Sequence, residues 1–135
     1  MSKGFGGVAK MATQDDDTII YEYATYNLND EKYRNPQSIF DGLIRIDKHA
    51  FVEPEIHKKL KKQPNGKKQL LTKRIHRSVD YSKLINANAI QVENSKFCWE
   101  FLKDGVGMVA MLIIYKIFNE YQELGILPIT VKCNV

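Results

Sequence analysis

Asp104-Gly105-Val106-Gly107-Met108-Val109-Ala110-Met111-Leu112-Ile113-Ile114-Tyr115-Lys116-Ile117-Phe118-Asn119-Glu120-Tyr121-Gln122-Glu123-Leu124-Gly125 is the stretch whose reading decides the fold. Asp104 is placed to cap the start of a helix over 104–124, and Gly125 to end it. Val106, Ala110, Ile113, Ile114, Ile117, Phe118, Tyr121 and Leu124 recur at three- and four-residue intervals and make one apolar stripe. Met108, Met111, Leu112 and Tyr115 add a second stripe in the first half only. That end is therefore covered on both sides or forms a contact between subunits. The longest apolar run, 106–114, is about nine residues, less than half of the roughly twenty a membrane span needs.

Upstream, the spacing changes from helical to alternating. Residues 5–13 alternate, with Phe5, Ala9 and Met11 on one side and Val8 and Lys10 on the other. Gln14-Asp15-Asp16-Asp17 reads as a turn, and 18–28 is rich in β-branched residues and tyrosine, so the two segments predict a β-hairpin. Tyr21 and Tyr23 share a face and are expected in the core. Residues 29–37, with Asn35-Pro36, read as a surface loop. In 43–48, Ile44 and Ile46 face one way, and Arg45 and Asp47 the other. A helical turn is predicted near 80–84, with short strands over 67–76, 89–93 and 129–135; the last points Cys133 inward.

The central segment 57–77 is the most unusual in charge. It holds Lys58, Lys59, Lys61, Lys62, Lys67, Lys68, Lys73, Arg74 and Arg77 and no acidic residue. Residues 1–56 carry six basic against ten acidic groups, and 78–135 five against six, so the net +4 conceals a cationic element on an acidic body. Pro54 with Glu53 and Glu55 resembles a helix start, and Ile56 and Leu60 are four apart, so 54–62 is read as a short basic helix ended by Pro64-Asn65-Gly66. These cations form the candidate surface for a nucleic acid or an acidic protein, with Tyr81 as a stacking ring beside them. Lysine outnumbers arginine, which favours charge attraction over bidentate base readout. The bland alternative is that lysines keep an exposed element solvated.

Other constellations carry less. Residues 3–10 partly resemble the RNP1 octapeptide of RNA-recognition domains, but Gly7 and Lys10 stand at two of its aromatic positions and the match is rejected. Gly4, Gly6 and Gly7 are read instead as a flexible start or a bulge. His49, Glu53 and His57 are four apart, yet Pro54 prevents one helix from aligning them as metal ligands. Asp30-Glu31-Lys32 with Asp17 has the carboxylate–lysine form of a metal-dependent nuclease. Cys98 has apolar neighbours and no histidine close in sequence, so an inert thiol is expected.

The expectation is one domain over 1–135 of the α+β class. An antiparallel sheet of about five to six short strands packs on one long C-terminal helix, with a short basic helix added. Residues 1–7 lack the apolar core of a secretory leader, and two cysteines are few, so a cytoplasmic chain with reduced thiols is expected. No metal or cofactor is called for. Function is expected to be binding rather than catalysis. Self-association through Met108, Met111, Leu112 and Tyr115 is the alternative, and metal-dependent nuclease activity the third.

Overall fold

A computed structural model describes residues 4–62, 64, 66, 68–98, 100–101 and 105–134. Along the chain run β1 (Phe5–Gln14), β2 (Thr18–Asn27), β3 (Gly42–Asp47), β4 (Glu55–Lys62), β5 (Lys68–Ile75), α1 (Tyr81–Asn86), β6 (Ile90–Glu93), α2 (Met108–Leu124) and β7 (Thr130–Asn134). Five strands form one antiparallel sheet in the order β6-β3-β2-β1-β7, and β4 and β5 form a separate two-stranded sheet among the described residues. The class is α+β, as the residue pattern predicts.

The sheet follows from alternation. Ile19, Tyr21 and Tyr23 of β2 point to the same face as Ile44 and Ile46 of β3, Ile90 of β6, and Val131 and Cys133 of β7. Against that face α2 lays Val109, Ala110, Ile113, Ile114, Ile117 and Phe118. Helix and sheet thus bury one continuous core, and the connection through α2 carries the chain across the sheet to its far edge. At the β1–β2 turn, Asp15 Oδ1 accepts from the amides of Asp17 and Thr18, each at 2.8 Å. These donors hold its carboxyl below the usual range.

Several elements differ from expectation. Residues 55–62 are a strand and not a helix. The Ile56–Leu60 spacing of four also places both residues on one face of a strand, so it does not separate the two structures. What separates them is the partner: β5 pairs with β4 from Glu55↔Ile75 to Lys62↔Lys68. Helix α2 begins at Met108, with Gly107 at the cap position; Asp104 lies outside the described residues. Gly107 N–H donates to Asn94 Oδ1 at 2.8 Å, which pins the helix start from the loop after β6. Gly125 ends α2 at φ +75, as read. Leu124 is exposed and does not join the buried stripe.

Gly6 and Gly7 lie inside β1; the strand's irregularity is instead at Met11–Thr13. A Cβ on Gly7 would meet Ala24 O and Val109 Cγ1 at 2.7 Å each, so the glycine lets α2 approach the sheet. The loop after β2 contains a 3-10 turn and is tied down by Asn35. Its side-chain amide donates to Thr25 O at 3.1 Å while its oxygen accepts from Ile39 N–H at 2.9 Å.

Candidate functional site: a cationic β-ribbon

The ribbon β4–β5 leaves the body as a two-stranded antiparallel pair. Thr72 and Ile75 favour a strand, and the connection at its tip carries Pro64 and Gly66, the latter at φ +82 where a side chain is disfavoured. None of the ribbon's described side chains belongs to the buried core. An isolated hairpin of this kind is marginal by itself, so its attachment at the root decides its stability.

Among the described residues, three sets of hydrogen bonds make that attachment. On the β4 side, Tyr121 of α2 donates its hydroxyl hydrogen to Glu53 Oε1. That bond, with a smaller contribution from burial, raises the Tyr121 phenol above its ordinary value. On the β5 side, Arg74 Nη1 donates to the Gln122 carbonyl at 3.2 Å, where the last turn of α2 lacks internal donors. Arg77 is held through its main chain by the Gln122 side chain.

Lys58, Lys62, Lys68, Lys73 and Arg77 are all exposed. Lys67 and the side chains of Lys59 and Lys61 lie outside the described residues. Glu55, at the root, is the acidic residue of β4, and its Oε1 is 2.9 Å from His57 Nε2. Arg74 is turned back to the end of α2. Tyr81 does not stand beside the ribbon as an open stacking ring: it packs edge-on against Tyr115 at 4.6 Å and Phe118 at 5.3 Å. Burial raises its phenol.

The remaining candidates are dispersed. Met111 is in the core, while Met108, Leu112 and Tyr115 are half-buried, with Leu112 and Tyr115 packed on that core. Asp17 and Asp30 lie beyond opposite ends of the ten-residue β2, roughly 30 Å apart at a strand's rise. They do not meet. Asp30 caps the 3-10 turn by accepting from Lys32 N–H at 3.1 Å. His49, Glu53 and His57 likewise take separate partners, Asp17, Tyr121 and Glu55. Among the described residues, no group of three or more His, Cys, Asp and Glu is arranged to hold a metal ion. Cys98 and Cys133 are free thiols, and burial raises both above the ordinary thiol value, which disfavours the reactive thiolate. No helix among the described residues is long and apolar enough to cross a membrane.

Residue pattern missed the part of Gln122. A signal exists: it falls four residues after Phe118 on the core-facing stripe of α2, where a polar side chain needs a buried partner. No protein-family model, curated protein or solved structure matches this chain.

Proposed function

We propose that the chain is a non-enzymatic binding module that offers the β4–β5 ribbon to a polyanion, nucleic acid before an acidic protein surface. One observation carries the reading. Lys58, Lys62, Lys68 and Lys73 are exposed on a projecting ribbon, and no acidic residue occurs from 57 to 77. Neutralising phosphates with such a ribbon releases counterions and gives affinity independent of base sequence. The two free thiols suit a reducing compartment, and the cytoplasm is proposed on that ground.

Fluorescence anisotropy against short DNA and RNA, at about 50 and 200 mM salt, tests it. Neutralising six phosphates predicts a roughly thousandfold loss of affinity over that range. Absence of binding at the lower salt rejects nucleic acid and leaves an acidic protein surface or self-association.

A further inference from the structure

The register of the ribbon narrows its partner further, resting on the nucleic-acid reading above. Directly opposed residues of an antiparallel pair share a face. From tip to root, the pairs Lys62↔Lys68, Leu60↔Leu70, Lys58↔Thr72 and Ile56↔Arg74 therefore line one face. A lysine rung at the tip is followed by a leucine rung, then by Lys58 beside Thr72, and at the root by Ile56 beside Arg74; the face holds no acidic residue. Leu60 is 63% exposed, Leu70 55% and Ile56 51%, so no other element covers the apolar rungs.

This arrangement selects among occupants. A second copy of the same face would set lysine against lysine. A bilayer would be met first by the tip, yet the tip rung is Lys62 and Lys68, with the leucines behind it. Lys73 lies on the opposite face, opposite His57, so the ribbon has no charge-free side to lay on lipid. A duplex groove presents the matching alternation, with phosphates along its rims and base edges on its floor. The major groove of B-form DNA is about 12 Å wide and admits a two-stranded ribbon, and thymine offers a methyl group there. The corresponding groove of A-form RNA is deep and too narrow for side chains to read.

We infer that this face of β4–β5 enters the major groove of B-form duplex DNA. Leu60 and Leu70 lie against thymine methyl groups, and Lys58, Lys62 and Lys68 reach the flanking phosphates. Arg74, bonded to the end of α2, marks the depth at which the body stops further entry.

The full chain is titrated at about 50 and 200 mM salt against five probes. These are a thymine-containing DNA duplex, the same duplex with uracil for thymine, the matching RNA duplex, its DNA single strand, and vesicles of mixed phosphatidylglycerol and phosphatidylcholine. The thymine duplex is expected to bind tightest, with about a fourfold loss for each methyl contact removed in the uracil duplex. Leu60→Ser/Leu70→Ser is expected to bind both DNA duplexes alike with an unchanged salt slope, which also reports that the ribbon remains formed. Equal binding of the native chain to thymine and uracil duplexes, or to RNA or single strands, overturns the groove assignment and leaves the nucleic-acid reading standing. Binding to no nucleic acid overturns both, whether or not vesicles bind.

Discussion

The side-chain amide of Gln122 forms a closed pair of hydrogen bonds with the main chain of Arg77: its Oε1 accepts from Arg77 N–H at 2.7 Å and its Nε2 donates to the Arg77 carbonyl at 2.9 Å. Gln122 is 2% exposed, so a single buried amide joins the end of the ribbon to the last turns of α2. Gln122→Ala leaves its two main-chain partners unbonded and is expected to lower stability by about 1–3 kcal/mol. Urea unfolding measures this. An unchanged midpoint would show that the joint carries no stability.

The ribbon is expected to be separable from the stability of the body. Replacing Lys58, Lys62, Lys68 and Lys73 by Gln alters four exposed side chains, and exposed substitutions shift stability by about 0.5 kcal/mol or less. Nucleic-acid affinity should fall, and the log–log salt slope should shrink by about 2.7 if Lys58, Lys62 and Lys68 each meet one phosphate, or by about 3.6 if Lys73 on the other face meets one too. Unaltered affinity with an unaltered slope would remove these lysines from the interface.

Thr25 of β2 is buried, and its Oγ1 has no hydrogen-bond partner among the described residues. Valine has nearly the same shape and keeps the branching that strands favour. Thr25→Val is therefore expected to raise stability by about 1 kcal/mol by removing a desolvated hydroxyl. A loss of stability in thermal unfolding would mean that the hydroxyl is satisfied.

Two glycines should respond differently to alanine. At Gly42 a Cβ would fall within the ring of Tyr23, and Tyr23 is fully buried, so Gly42→Ala is expected to cost about 3 kcal/mol or more. At Gly66, φ is +82 and nothing lies within 4 Å. Gly66→Ala should cost only about 1–2 kcal/mol of backbone strain, confined to the ribbon tip. Hydrogen exchange in the core amides separates them: Gly42→Ala should speed it, and Gly66→Ala should leave it unchanged.

Burial pushes the Tyr23 phenol up to about 12 and raises Tyr21 in the same direction. Below pH ~10 both tyrosines are neutral whether the chain is folded or not. Above it the unfolded chain releases protons that the fold retains, so stability falls as pH rises from ~10 towards 12. The slope is about 1.4 kcal/mol per pH unit for each phenol held neutral. Tyr23→Phe should shed one such contribution when urea midpoints are followed from pH 9 to 11.5. A parallel pH profile would place the alkaline sensitivity elsewhere.

Residue pattern alone determines the sheet strands, α2 and the side each turns inward. The β-branched and tyrosine content of 18–28, the alternation in 43–48 and the helical stripe of 104–124 are local signals, and packing helix on sheet buries their apolar residues together. The αL stop at Gly125, the helical turn near 80–84 and the burial of Cys133 follow from equally local chemistry. Tertiary structure decided the rest. Whether 55–62 coils or extends depends on β5 across the tip, and a period of four suits both outcomes. The return of Arg74 to α2, the packing of Tyr81 on Tyr115 and the anchoring of Arg77 by Gln122 join residues 34 to 48 positions apart. The exposure of Leu60 and Leu70 was likewise hidden, because an apolar residue in a strand declares its face but not whether anything covers it.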